Sequence, residues 1–369
     1  MAEDITGRIR RKEVRDPDRD ARIEADLRFM EELEESGAAE EGEGLTELPS
    51  LVTADLLAEI ETVRANEGRR ADIAGSLRAP NLDYDDLAFL SGLTRREARP
   101  LVAVWGSLPP ERRRHLVRAM GLRAEADLTL DFARPLLVAT RDTQASVRAA
   151  AINALWESRT PETLAASLVA VDDDDAHVRL AAANGLAAFA ALAATGDLPE
   201  ADASRLRTIL LAHARNPREA VEVARRAVVA LGVFNDADTN ALIAEVYARE
   251  TIDDRAAALE AMGRSYNPEY LPTVRGDITD REHDVRLEAT RALGEIGASE
   301  GTPDLIDRLS DTDRAVRFAA VIALGLIGNR AAVAALREHR ADRADPDWHE
   351  AVDAALAEAA FGESPLFPA

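Results

Sequence analysis

The sequence predicts an all-α protein: a right-handed α-solenoid of about seven helical hairpins that follows a helical segment. Three observations predict this fold class. A motif recurs with a 31-residue period, each period holds two helix-forming stretches separated by turn residues, and alanine recurs where helices would touch. Neither helix of a period could bury its apolar side alone, so successive units must stack.

The 369 residues divide into four predicted parts that differ in composition. The first is too polar to bury a core, because residues 31–50 carry eight acidic residues and no basic one. The parts are a flexible acidic arm (1–50), a helical segment (51–141), the repeat array (142–361) and a loose tail (362–369).

The helical segment shows apolar stripes and start signals but no repeat. Residues 54–64 place apolar side chains on one helical face. Thr94 is followed three residues later by Glu97, the spacing of a capping box, and predicts a helix that runs through Trp105. The prolines at 109 and 110 then predict the first turn of a further helix.

The repeat is defined by Val-Arg, an alanine four residues after the valine, and Ala-Leu at seven and eight residues after it. Copies begin at residues 147, 178, 223, 254, 285, 316 and 348. All steps are 31 or 32 residues except the second, where about 14 extra residues predict an insertion within 189–205. Gly297 and Gly328 are predicted to end the second helices of their units.

One arginine occupies the same position in five units and is predicted to be structural. Acidic residues precede it in the turn, which predicts an Asp–Arg ladder between neighbouring turns. The alternative is a row of anion-binding side chains. The arginines are Arg148, Arg179, Arg255, Arg286 and Arg317, and the acids are Asp175, Asp253, Asp284 and Asp313.

The pattern D-x-x-V-R-x-x-A-x-x-A-L-G, seen in Asp313–Gly325 and with Glu282 as its first residue in 282–294, resembles HEAT repeats of the short phycobilisome-lyase (PBS lyase) type. Residues 93–157 are also similar to the start of bacterial HEAT-repeat proteins. The resemblance implies a scaffold or adaptor that binds a partner protein on a concave face lined by the second helices. A few HEAT proteins are enzymes, so the resemblance specifies the fold better than the function.

Composition excludes several classes of function. Without cysteine there is no disulfide framework, no Cys-ligated zinc and no thiol nucleophile. The acidic balance, 68 acidic against 45 basic residues and a net charge of −23, argues against general nucleic-acid binding and against anionic membranes. The only lysine, Lys12, leaves no lysine-dependent phosphate loop. We expect a cytoplasmic protein.

A cluster of arginines stands out against this acidic background. Residues 95–123 carry a net charge of +6, and part of the cluster lies at a predicted helix start, where cations oppose the helix dipole. The cluster either pairs within the chain, for instance with the acidic arm, or docks an acidic protein or a phosphate group. Its members are Arg95, Arg96, Arg99, Arg112, Arg113, Arg114, Arg118 and Arg123.

No catalytic, cofactor-binding or metal-ligating residue is predicted. HEAT-fold hydroxylases bind two irons through several His-Glu dipeptides, whereas only His349-Glu350 has that order here. The run of four aspartates at 172–175 lacks the glycine and the distal glutamate of a calcium loop, and it predicts a helix cap. The interpretation is a non-enzymatic scaffold with no cofactor, with the oligomeric state left open. The alternatives are a phycobilin lyase, although Trp105, Trp156 and Trp348 lie far apart, or a nucleic-acid binder that uses the arginine cluster.

Overall fold

The structure is a computed structural model that describes residues 66–84, 86–249, 251–342 and 345–362. The predicted acidic arm, the helix predicted over 54–64 and residues 363–369 of the predicted tail lie outside the described residues. Helices, turns and short 3₁₀ segments account for the regular structure of the described residues, which contain no strand. The chain forms two compact units with the boundary between Ser158 and Arg159.

In unit 1 the described residues form five α-helices after a helical stretch over residues 66–71. Thr94 and Glu97 form the predicted capping box, since the Thr94 N–H donates to Glu97 Oε2 (2.8 Å) and the Glu97 N–H donates to Thr94 Oγ1 (3.3 Å). The helices are α1 (Ile73–Arg78), α2 (Arg99–Trp105), α3 (Pro110–Ala126), α4 (Ala133–Ala139) and α5 (Ala145–Ala154).

Unit 2 contains twelve described α-helices that form six consecutive hairpins. The first helices are α6 (Pro161–Ala170), α8 (Glu200–Arg215), α10 (Ala237–Tyr247), α12 (Leu271–Asp277), α14 (Thr302–Arg308) and α16 (Arg330–His339). The second helices are α7 (Ala176–Ala194), α9 (Val221–Leu231), α11 (Ile252–Arg264), α13 (His283–Ile296), α15 (Arg314–Ile327) and α17 (Pro346–Gly362).

The helix boundaries confirm the predicted period and the α-solenoid of stacked hairpins. Every second helix of unit 2 begins two residues before a predicted repeat start, and so does α5, which pairs with α4 in unit 1. With that pair, the described residues contain seven hairpins in the predicted register. The insertion is taken up by two longer helices, because α7 has 19 residues and α8 has 16, on either side of the turn at 195–199.

The second helices of unit 2 pack directly against one another, and glycine makes the close approach possible. A Cβ added to Gly294 would lie 2.6 Å from the Ala323 Cα atom, and one added to Gly325 would lie 2.9 Å from the Ala355 Cα atom. In each case, the glycine nine residues after a repeat start meets the alanine seven residues after the next. The small residues therefore fix the spacing between successive repeats.

An aspartate cap marks the start of one of these helices, and glycine caps mark the ends of two of them, as predicted for Gly297 and Gly328. Asp313 accepts hydrogen bonds from the Ala315 and Val316 N–H groups at the start of α15. Gly297 and Gly328 follow α13 and α15 with φ of 71° and 62°, the left-handed conformation that glycine adopts without steric cost. The turn chemistry and the apolar period therefore agree on the same boundaries.

Helix α7 is the one helix in the described part of the chain that is long and apolar enough to cross a membrane, with a mean hydropathy of 1.3. Val178, Ala182 and Leu186 on this helix are fully buried, and the helix packs against α6 and α9 within unit 2. Its apolar composition is that of a core helix in a stack, which needs apolar side chains on several sides.

Candidate partner-binding surfaces

The predicted arginine cluster is divided by the fold of unit 1 into exposed, half-buried and buried members. The exposed members are Arg95, Arg96, Arg99, Arg114 and Arg118, and the half-buried members are Arg112 and Arg123. Arg114 pairs with Glu111 in the first turn of α3 (2.8 Å), and Arg112 donates to the Leu77 carbonyl (2.9 Å). No ion pair joins Arg96, Arg99 or Arg118 to another residue that the structure describes.

Arg113 does not belong to this surface, which corrects the predicted set. It is only 5% exposed, and its guanidinium lies 2.7 Å from the Asp142 carboxylate in a buried ion pair. The Trp105 indole N–H donates to the same carboxylate (2.7 Å), and Arg113 donates to the Leu108 carbonyl (2.7 Å). A charge this deeply buried requires such partners, so Arg113 is structural.

The repeated arginines hold the turn of their own repeat. In four units a guanidinium N–H₂ group donates to two carbonyls in the turn that precedes the second helix. For Arg286 these are the Asp280 and Arg281 carbonyls, at 2.9 and 3.1 Å. The arginines with this geometry are Arg148, Arg179, Arg286 and Arg317.

The carboxylate partners of three of the repeated arginines lie at the end of the first helix or in the turn of the next repeat, rather than at the predicted positions. The pairs are Arg179–Glu219 (2.7 Å), Arg255–Asp277 (2.6 Å), Arg255–Asp280 (2.7 Å) and Arg286–Asp311 (3.0 Å). Asp175 and Asp313 instead accept backbone N–H groups as helix caps, while Asp253 pairs with Arg225 and Asp284 with His283. Asp175 and Asp313 stand directly before a helix and are turned towards the free N–H groups of its first turn, whereas Asp253 and Asp284 lie within the first turn itself.

A second candidate surface lies on unit 2, between α13 and α15, and the sequence analysis did not identify it. Phe318, Ile322 and Leu326 follow one another at four-residue intervals along α15 and line an open groove of about 580 Å³. Ile322 is 59% exposed and Leu326 is 51% exposed. Arg291 and Glu295 of α13 form the opposite wall. We call this feature the α13–α15 groove.

The charges around the α13–α15 groove are unevenly paired. Arg291 lies 2.6 Å from Glu288, and Arg314 lies 2.7 Å from Asp347 while its guanidinium covers the Phe318 ring at 4.5 Å. The Glu295 carboxylate has no hydrogen bond or ion pair with another residue in the described part of the chain. Burial raises the pKa of Glu295 to about 7. The positive charge of Arg264 opposes this rise, and the negative charges of Glu260 and Glu288 add to it.

A comparison between repeats could have revealed the groove. The positions six and ten residues after the repeat start are charged in two successive repeats, Glu260 and Arg264 on α11 and Arg291 and Glu295 on α13. In the next repeat they are Ile322 and Leu326. Because apolar residues at helical spacing are typical of a core, the stripe on α15 attracted no functional interpretation.

Several histidine, aspartate and tryptophan side chains that could serve other chemistries have structural partners. His213 lies between Glu219 (2.8 Å) and Asp172 (3.2 Å), and Asp175 caps α7. Trp105 and Trp348 are buried, and Trp348 packs edge-on against Phe318. Within the described ranges, no three His, Asp or Glu side chains form a cluster that could hold a metal ion.

Solved structures similar to this chain share little of its sequence. In a search of the solved structures, human deoxyhypusine hydroxylase in complex with glycerol is 17% identical, with 81% of this chain and 98% of that chain covered and a TM-score of 0.33. The CpcE–CpcF complex of phycocyanin lyase from Nostoc sp. PCC7120 is 17% identical, with 72% and 95% covered and a TM-score of 0.35. The Kap95:Nup1 complex is 12% identical, with 84% and 48% covered and a TM-score of 0.44.

The sequence comparisons identify the repeats themselves. No curated protein matches the chain significantly. The family described as HEAT repeats matches residues 133–223 and 277–357, which include α4 to α8 and α13 to α16. The intervening helices continue the same hairpin pattern in the structure. The matched residues therefore carry HEAT repeats, the repeat type that the pattern around Val285 and Val316 resembled.

Proposed function

We propose that this protein is a non-enzymatic scaffold or adaptor that binds a partner protein on the second-helix face of unit 2. The observation that carries the proposal is the exposed apolar stripe in the α13–α15 groove. Covering apolar surface is favourable by about 25 cal/mol per Å². Ile322 and Leu326 interrupt a face that is charged in the two preceding repeats, which favours a localised docking site.

The exposed part of the arginine cluster in unit 1 is a second docking surface for the same function. Arg96, Arg99 and Arg118 present guanidinium groups that no described carboxylate neutralises, and Val102 on α2 and Leu122 on α3 are exposed as well. Arginine forms bidentate hydrogen bonds with carboxylates, so an acidic segment of a partner is the ligand that this surface favours.

The proposal is tested by affinity capture with matched variants and mass spectrometry of the bound proteins. The groove variant combines Ile322→Asp and Leu326→Asp. The control is Val169→Asp, because Val169 is 71% exposed on a first helix of the same unit. We expect the wild type and the control to retain a partner that the groove variant loses. Identical bound proteins from all three would contradict docking in the groove.

A third variant separates the two surfaces. Arg99→Glu with Arg118→Glu reverses the charge of two exposed arginines without touching the buried Arg113. If this variant loses the partner while the groove variant retains it, docking occurs on unit 1, and the loss should be reproduced in the wild type by raising the salt concentration. If neither variant loses a partner, the scaffold proposal fails at both surfaces.

A further inference from the structure

The dimensions of the α13–α15 groove favour an elongated occupant. From Arg314 to Leu326 the wall formed by α15 is about 18 Å long, at 1.5 Å per residue, which is more than three helical turns. The apolar side chains recur every four residues, the spacing at which a second helix presents its own apolar stripe. A small molecule would be covered by its pocket, whereas here Ile322 and Leu326 are more than half exposed and need a large surface to cover them.

The charges of the groove favour a cation in that occupant. Both arginines of the groove, Arg291 and Arg314, already have carboxylate partners. Glu295 has no hydrogen-bond or ion-pair partner among the described residues; its side chain lines the groove, and its Oε2 atom lies against Gly263 of α11. A lysine or arginine of the occupant that reaches this side chain would meet a carboxylate that has no close cation partner, and the bound helix would exclude water from the pair.

We propose that the α13–α15 groove binds an amphipathic α-helix of the partner, which packs apolar side chains on Phe318, Ile322 and Leu326 and places a lysine or arginine beside Glu295. This inference rests on the proposed scaffold function and names the class of partner segment. Recognition of a helix in a groove requires apolar anchors three or four residues apart, and the single cation fixes the direction of the bound helix.

The pH dependence of this binding follows from the groups that face Glu295. Glu260 and Arg264 lie on α11, Tyr266 follows that helix, and Glu288 and Arg291 lie on α13. Helix α15 contributes apolar side chains and Arg314 to the same groove. The Glu295 carboxyl ionises near pH 7. A basic helix should therefore bind more tightly at pH 8 than at pH 6, because only the ionised carboxylate attracts its cation.

The experiment selects occupants from a displayed library of 18-residue helical peptides with randomised surface positions. The wild-type protein is the target, and the variant with Ile322→Asp and Leu326→Asp removes peptides that bind elsewhere. We expect the enriched peptides to share an apolar stripe and a lysine or arginine at one fixed position beside it. Enriched peptides without a basic residue, or no enrichment, would overturn the inference.

The affinity of an enriched peptide then tests Glu295 directly by fluorescence anisotropy. Glu295→Gln should weaken binding about tenfold at pH 8 and remove the difference between pH 8 and pH 6. The matched control is Glu245→Gln, an exposed glutamate on α10, which should leave both unchanged. Circular dichroism verifies that each variant is folded, and equal affinity for the wild type and Glu295→Gln would contradict the assigned cation.

The two proposals fail in different ways. If affinity capture shows that the partner is lost from the groove variant but peptide binding is independent of Glu295, the docking site remains and the basic helix is wrong. If the groove variant captures the same proteins as the wild type, the groove is not the docking surface, whatever the selected peptides contain.

Discussion

The two units obtain their stability from different kinds of contact. In unit 1, large side chains such as Phe89, Met120 and Phe132 fill a core to which only one repeat hairpin, α4 with α5, contributes among the described residues, and a buried ion pair lies beside Trp105. In unit 2, the contacts between second helices are made by glycine and alanine, whose small volume allows the backbones to approach. Unit 1 should therefore be most sensitive to the loss of an interaction, and unit 2 to the addition of volume.

The largest expected effect is the loss of the buried charge in unit 1. Asp142→Asn leaves the Arg113 guanidinium without its carboxylate, and removing one partner of a buried ion pair costs about 3–5 kcal/mol. We expect the midpoint of urea unfolding to fall accordingly. Hydrogen exchange should rise most in α3 and α5, the helices that flank the pair.

The control for this prediction is an ion pair on the same helix. Glu111→Gln removes the exposed pair with Arg114, in which the Glu111 side chain is 69% exposed. Exposed pairs contribute about 0–1 kcal/mol, so the midpoint should change little. Equal losses from Asp142→Asn and Glu111→Gln would show that burial of the Arg113–Asp142 pair does not distinguish unit 1.

In unit 2 the corresponding test adds one methyl group. Gly294→Ala would place a Cβ atom 2.4 Å from the Ala323 Cβ atom, so α13 and α15 must move apart. Overpacking of this kind costs about 1–3 kcal/mol. The loss is measured as a lower thermal midpoint, together with faster hydrogen exchange in these two helices.

Gly276→Ala is the matched control, because no atom lies within 4 Å of the added Cβ and the residue is helical. Alanine is favoured over glycine in helices by about 1 kcal/mol, so this variant should be slightly more stable than the wild type. If both variants lost stability equally, the cost would come from the loss of glycine itself rather than from the contact with Ala323.

This contrast also explains what could be predicted from the sequence. Repeat starts, the capping box at Thr94 and the terminal glycines are local signals, so the hairpins and their register were predicted correctly. The burial of Arg113 was missed because its partner, Asp142, lies 29 residues further along the chain, beyond the reach of a local charge count. The partners of the arginine ladder depend in the same way on how successive turns meet in space.

The candidate site was less predictable than the fold for a related reason. Phe318, Ile322 and Leu326 have the spacing of a buried stripe, and no property of α15 alone distinguishes an exposed stripe from a buried one. Only the charged residues at the same positions of the two preceding repeats indicate that this face meets solvent. The comparison of repeats, position by position, therefore carries information that the helix period does not.

Glu295 provides a smaller test, in which the sign of the pH dependence matters. Its pKa is raised from 4.5 to about 7, so the folded state holds a proton that the unfolded state releases. The contribution of this raised pKa to the free energy of unfolding is therefore fully present below pH 4.5 and is lost as the pH rises through 7. Since some solvent reaches this side chain, we expect Glu295→Gln to gain about 2 kcal/mol over the wild type across this range, measured by urea unfolding. A constant difference between the two proteins would contradict the raised pKa.

The smallest expected effect concerns one backbone position in four successive repeats. Asn235, Tyr266, Gly297 and Gly328 all have positive φ, and Tyr266, at 53°, is the one with a bulky side chain. Because Tyr266 is 60% exposed, Tyr266→Gly loses little buried surface. The left-handed conformation costs a non-glycine residue about 1–2 kcal/mol, and glycine adopts it without this cost. The thermal midpoint should therefore rise.

Asn235→Gly should not share this gain, although it changes the equivalent position. Asparagine tolerates the left-handed conformation, and the Asn235 side-chain oxygen accepts hydrogen bonds from Asn240 and Asn267, both at 3.1 Å, which glycine would lose. We expect Asn235→Gly to be neutral or destabilising by about 1 kcal/mol. A rise in the midpoint for Asn235→Gly but not for Tyr266→Gly would mean that the Tyr266 ring contributes a contact to the fold that outweighs its strained backbone.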